Sequence, residues 1–184
     1  MPKYYTTDGD DGFTGRLGET RVGKSDLLIE VVGTVDEASA TLGLARSLCR
    51  SEHSRDVLLT IQRDLYHLMA EVSATESNAA RFRKIDTTRV QWLETEIEAI
   101  GQIIKMPNEF IIPGDSYPGA AMAVARTVVR RAERRLAELF LSRQLENRDL
   151  LRYLNRLSSL CFLLELLENQ NAGMTTSTLA RDEA

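Results

Sequence analysis

Apolar residues recur at steps of three and four through five long stretches of this chain, and that period commits it to helices. Val31, Val35, Ala38, Leu42 and Ala45 line one face of residues 28–48. Leu58, Ile61, Leu65, Leu68 and Val72 do the same for residues 54–75. Val90, Leu93, Ile97, Ile100 and Ile104 define a third helix over 87–104, with Asp86 or Thr87 as its cap. Pro107, Pro113 and Pro118 then forbid a continuous helix across MPNEFIIPGDSYPG. A fourth helix is expected over 119–142, with Pro118 near its first turn, and a fifth over 147–169, capped by Asn147. Strand-type alternation is nearly absent, so the expected class is an all-α bundle of five helices. Broad apolar coverage of the first and fifth helices leaves room for self-association. Gly33 and Gly43 in the first helix are candidate points of close helix packing.

Two segments fall outside the bundle of residues 28–171. Residues 1–27 contain the turn-rich run YTTDGDDGFTGRLGETRVGKSDL, either a loose tail or an ordered binding loop. Residues 172–184 are small and polar and are expected to fray. At 184 residues the chain suits one domain with its own core. A net charge of −4 argues against general nucleic-acid binding. No apolar run is long enough to cross a bilayer, and the first residues lack a basic stretch followed by an apolar one. Cys49 and Cys161 read as small buried hydrophobes, and a cytoplasmic location is expected. His53 and His67 lack ligand spacing, so histidine acid–base chemistry is not expected.

The fourth helix carries the chemistry. In AVARTVVRRAERRLAELF, Arg126, Arg130 and Arg134 share a face, with Glu133 close to it and Arg131 and Arg135 on an adjacent strip. Like charges at this spacing repel, so something negative must compensate. That is solvent ions, partner carboxylates or a phosphate chain: a solvated face laced with ion pairs would use Glu133 and Glu138, and a phosphate chain suits the arginine fork. Arg126 begins inside a small, apolar stretch and is expected to be partly buried and paired, with Asp36 or Glu37 as candidates. The glycine-rich start offers a second anion cradle, with Thr14 and Lys24 as polar groups. GETRVGKS there only superficially resembles a P-loop, because no strand precedes it. Asp8, Asp10 and Asp11 are turn residues or helpers of a phosphate-bound Mg²⁺.

Three blocks together carry a family resemblance: GDDGFTGRLGETRVGKSD leading into VVGTVDEASATLGLA, FIIPGDSYPGAAMAVARTVVRRAERR, and YLNRLSSLCFLLELL. In order and spacing they resemble the PduO-type ATP:cob(I)alamin adenosyltransferases over residues 5–167. The resemblance implies an up-and-down five-helix bundle that forms a homotrimer. It further implies transfer of the 5′-deoxyadenosyl group of ATP to the cobalt of reduced cobalamin, with Mg²⁺ and release of triphosphate. Gly12, Thr14, Gly15 and Lys24 then match the loop over the triphosphate. Arg130 and Glu133 match the pair that engages ATP and its metal, and Asn155 matches a nucleotide contact. Asp36 and Arg126 match an ion pair joining subunits, and Phe110 the aromatic below the corrin ring. A corrinoid reductase and an adenosylcobalamin-dependent acceptor enzyme are the protein partners this activity would need.

The chain departs from the family pattern at Asp8, where the loop usually has threonine, and at Phe13. Asp115 stands in the usual PGG turn, and Ser159 replaces the aspartate of NRLSD. These changes bear on corrinoid preference and metal use. They also define the alternative function, a non-catalytic trimeric ATP- or corrinoid-binding homologue acting as a sensor or cofactor chaperone.

Overall fold

A computed structural model describes residues 4–142 and 145–181. Among the described residues a short antiparallel hairpin, β1 (Phe13–Gly15) and β2 (Arg21–Gly23), precedes six helices. These are α1 (Leu27–Leu48), α2 (Glu52–Ser73), α3 (Glu76–Phe82), α4 (Thr87–Gly101), α5 (Tyr117–Leu141) and α6 (Arg148–Asn171). The bundle therefore has six helices, not the five expected. The added element, α3, is seven residues long and buries no side chain. It has no apolar stripe and so leaves no periodic signal in the sequence. The hairpin is the second correction, since turn chemistry alone was expected there.

Side-chain caps set the helix starts. Asp26 accepts from the Leu28 amide (2.8 Å), Ser51 from that of Ser54 (3.3 Å) and Asp86 from that of Arg89 (3.1 Å). Asn147 caps α6 as expected, accepting from the Asp149 amide at 3.0 Å. Helix α1 packs on α2 and α5, α5 on α6, and α6 on α4. α6 is the central helix, burying Leu150, Tyr153, Leu154, Leu157, Leu160 and Leu164 completely. Its broad apolar coverage is thus consumed inside the chain. On α1 and α5, by contrast, Leu44, Tyr117 and Val124 remain exposed. Gly43 does sit close to a neighbour, since a Cβ there would meet the Gln62 amide nitrogen at 2.9 Å, whereas Gly33 faces open space.

Buried polar groups tie the helices in register. Asp64 accepts from the Tyr153 hydroxyl at 2.7 Å and pairs with Arg89, joining α2, α4 and α6. Glu168, fully buried on α6, accepts from the Arg50 amide (2.7 Å) and the Ser54 hydroxyl (2.6 Å) at the start of α2. Each carboxylate is satisfied by several donors, which is what burial of a charge demands.

A third tie places the loop ahead of α5. The Ser116 hydroxyl accepts from the Gly119 amide (3.1 Å) and donates to the buried Asn169 on α6 (2.6 Å). Ser116→Ala should therefore cost about 1–2 kcal/mol, from a lost cap and an orphaned buried amide oxygen. The urea midpoint reads this directly, and an unchanged midpoint would remove Ser116 from the account.

Candidate active site

The arginine face of α5 divides in two. Arg131 pairs with Glu37, and Arg135 with Glu30 (3.6 Å) and Glu138 (3.1 Å). That adjacent strip is a solvated face laced with ion pairs. Arg130 and Arg134 are exposed, and among the described residues neither has an ion-pair partner. Arg130 is thus a cation whose compensation is left to solvent or ligand.

Arg130 shares a cleft of about 320 Å³ with Arg126, and with Ile97, Met106, Ser158, Ser159, Phe162 and Leu163 from the flanking elements. One helical turn further along α5, Glu133 accepts from the Asn155 side-chain nitrogen at 2.8 Å. Asn155 in turn accepts from Arg156 at 2.8 Å, and Arg156 pairs with Glu94 at 2.9 Å. Residues 22 positions apart in sequence therefore meet across α5 and α6. Arg156, which orients Asn155, was not singled out from the sequence. Its place beside Asn155 in YLNRLS was the available signal.

The N-terminal hairpin is ordered by its own ion pair. Arg21 grips both oxygens of Asp11 at 2.9 Å, and this guanidinium holds the Asp11 carboxyl below its usual pKa. The acidic cluster is therefore not three free carboxylates, and among the described residues no group of three or more His, Cys, Asp or Glu is placed to hold a metal. Gly12 takes a φ of +83°, which glycine adopts without strain. Thr14 and Gly15 lie on β1, and the Lys24 ammonium donates to the Gly9 carbonyl at 2.6 Å. Leu17 and Arg16 fasten the hairpin to the end of α2: the Leu17 amide donates to the Ser73 carbonyl at 3.0 Å, and Arg16 to the Ala74 carbonyl. Among the described residues no hydrogen bond or ion pair links this hairpin to Arg130, Glu133 or Asn155. One chain presents the two halves separately.

The expected Asp36–Arg126 pair is not formed within the chain. Asp36 is exposed on α1, and Arg126 is half-buried on α5 with its Nε buried and unpartnered. The charged neighbour of Arg126 inside the bundle is Glu165 on α6, which is 1% exposed and has an unpartnered Oε1. Burial pushes the Glu165 carboxyl up to about 7, against the pull of Arg126. Glu165 was missed in the sequence, although a lone carboxylate inside CFLLELL signals it. Cys161, beside the same pair, is fully buried, and burial raises its thiol to about 12, so it is an inert filler.

Phe110 lies in the proline-bounded loop before α5 and is 88% exposed, a large apolar ring with nothing packed over it. The loop is held from behind by the C-terminal segment, where Ile111 and Leu179 form an antiparallel bridge.

Comparison with known proteins gives this arrangement its context. Residues 4–168 match the family model described as cobalamin adenosyltransferase. A corrinoid adenosyltransferase of Bacillus subtilis is 35% identical over 94% of this chain and 89% of its own length. A cobalamin adenosyltransferase of Cupriavidus metallidurans is 38% identical over 94% of this chain and 91% of its own. Among solved structures, a variant PduO-type ATP:corrinoid adenosyltransferase from Lactobacillus reuteri, complexed with cobalamin and ATP, superposes with a TM-score of 0.87. The two share 31% identity over 98% of this chain and all of the other. By both sequence and fold, then, this chain belongs to the cobalamin adenosyltransferase family.

Proposed function

We propose that this protein transfers the 5′-deoxyadenosyl group of ATP to the cobalt of cob(I)alamin, giving adenosylcobalamin and triphosphate. The observation that carries the reading is Arg130, without an ion-pair partner among the described residues, in a cleft beside the Glu133–Asn155 pair, within a chain of this family. The Co(I) electron pair attacks the ribose C5′, the C5′–O bond breaks, and its electrons leave with triphosphate. Negative charge grows on the leaving group, and Arg130 is the cation available to meet it. No proton moves at the reacting carbon, so no general base is required. His53 pairs with Glu96 (3.0 Å) and His67 meets Tyr66 edge to face, and both lie outside the cleft. Positioning and electrostatic stabilisation are the protein's contribution.

Glu133 is the carboxylate hydrogen-bonded to Asn155. That fits Mg²⁺, which keeps most of its shell as water and phosphate oxygen and takes one or two protein carboxylates. Bound there, Mg²⁺ would screen the triphosphate charge. Thr14, Gly12, Gly15 and Lys24 close over the phosphates, and Asn155, held by Glu133 and Arg156, contacts the nucleoside. Phe110 offers the corrin lower face a ring without a lone pair. A cobalt that has lost its lower ligand finds no replacement on it, and reduction to Co(I) becomes easier.

A homotrimer completes the site. The separation of hairpin and α5–α6 groups on one chain, the exposed apolar residues of α1 and α5, and the lack of an internal Asp36–Arg126 pair all support assembly. In the trimer Arg126 meets Asp36 of the partner subunit. The substrate Co(I) requires a corrinoid reductase, and an adenosylcobalamin-dependent acceptor enzyme takes the product. No helix among the described residues is long and apolar enough to cross a membrane, and we assign the protein to the cytoplasm.

The direct test supplies ATP, Mg²⁺ and chemically reduced cobalamin under anaerobic conditions. The Co(I) spectrum should decay as a light-sensitive cobalt–carbon bond forms. A folded protein that binds both substrates but makes no adenosylcobalamin would instead be the binding-only homologue.

A further inference from the structure

Asp115 has no part in the chemistry above, yet it interrupts a turn where glycine is usual. Gly114 before it takes a φ of +131°, a backbone conformation that favours glycine. The Asp115 carboxylate then takes both donors of one residue, Thr178, some sixty positions away. Oδ2 accepts from the Thr178 amide at 3.1 Å and Oδ1 from its hydroxyl at 2.6 Å. The Thr178 carbonyl accepts from the Ile112 amide at 2.8 Å, and the Ala180 amide donates to the Phe110 carbonyl at 2.7 Å. The peptide groups on either side of Ile111 are therefore gripped by the C-terminal segment.

This grip matters because of what Phe110 lacks. Its ring is 88% exposed, so packing does not fix its direction. Only its backbone is held, and a two-bond ladder at a surface opens readily to water. The two bonds to an ionised carboxylate are the stronger ones in the set. Pro113 on one side and Leu179, half-buried on the other, stiffen the same joint.

We propose that Asp115 is a positioning residue that latches residues 178–180 across the Phe110 loop and thereby sets how the ring meets the lower face of the corrin. The inference deepens the adenosyltransferase reading and rests on it for the identity of the ligand. Thr178 is the other half of the latch.

The test uses Asp115→Ala, Asp115→Asn and Thr178→Val in the full chain. In the substrate-free protein, amide exchange at Ile112, Thr178 and Ala180 should accelerate at least tenfold in Asp115→Ala and Thr178→Val, with α1 and α6 unchanged. Asp115→Asn, which keeps an acceptor oxygen, should recover much of the protection. With ATP and cob(II)alamin, the electron paramagnetic resonance signal of cobalt lacking its lower ligand should shrink in Asp115→Ala. Its kcat should fall about tenfold while KM for ATP holds. Unchanged exchange in both latch variants would overturn the latch. Faster exchange with an unchanged cobalt signal would overturn its role in placing Phe110. The exchange arm needs no corrinoid, so failure of the latch and failure of the adenosyltransferase reading give different results.

Discussion

Arg130→Ala should lower kcat about 10²–10³-fold, the usual cost of removing one donor aimed at developing negative charge. Its stability should stay within about 0.5 kcal/mol of the parent, as for an exposed surface site. Both halves follow from position. Arg130 is exposed, has no ion-pair partner among the described residues, and lies one helical turn from Arg126 and from Arg134. Removing it relieves like-charge repulsion along α5, worth a few tenths of a kcal/mol. The loss therefore falls on the ligand that would have answered the charge. Arg130→Lys keeps the charge without the planar fork, so it should recover part of the rate. Steady-state kinetics beside a thermal melt separates the two effects. Full turnover in the alanine variant would exclude Arg130 from charge stabilisation, and a large fall in melting temperature would make it a structural residue.

The long helices were legible because each buries one stripe, and a stripe leaves a period. Val31 to Ala45 and Leu58 to Val72 are fully or nearly buried where the pattern placed them. Helix α3 was not legible, because its seven residues bury nothing. The hairpin escaped for a related reason. Three-residue strands are too short to alternate, and what holds them is the Arg21–Asp11 clamp, a pairing ten residues apart that no period reveals. The α5 half of the site was readable as charged residues on one helix face, whereas Asn155 came only through the family resemblance, and the structure brings it to Glu133. The charged neighbour of Arg126 was only faintly readable. Sequence offered Asp36 because it interrupts an apolar pattern on α1. The enclosure of the second half of α6 makes Glu165 an internal carboxylate within electrostatic reach of the same arginine, and its place inside CFLLELL was the one hint of that. The C-terminal residues carry small polar side chains with no period, and their attachment depends on backbone groups and one distant carboxylate.

Glu165→Gln should make the protein more stable above pH 7, by a margin that shrinks as pH falls towards 5. The sign follows from the shift. An ordinary glutamate, at 4.5, has lost its proton by pH 6, whereas burial holds the folded Glu165 to about 7. Between those limits the folded state binds more protons than the unfolded one, so stability falls as pH rises and levels off above 7. A span of 4.5 to 7 corresponds to about 3 kcal/mol, an upper value because Arg126 attracts the ionised form and solvent relaxes around it. Glutamine keeps the shape and has no proton to lose. It should therefore exceed the wild type most at pH 8 and least at pH 5. The competing expectation is that the Arg126–Glu165 attraction outweighs desolvation, in which case glutamine would destabilise at pH 8. The geometry favours the first, because Glu165 Oε1 has no partner and Glu165 forms no ion pair among the described residues. Denaturation of both proteins at fixed concentration from pH 5 to 8, holding any subunit association constant, reads the difference curve. A flat difference would mean that Glu165 is ionised throughout and already compensated. A negative difference at pH 8 would make Arg126 its partner in the folded chain rather than a group reserved for a neighbouring subunit.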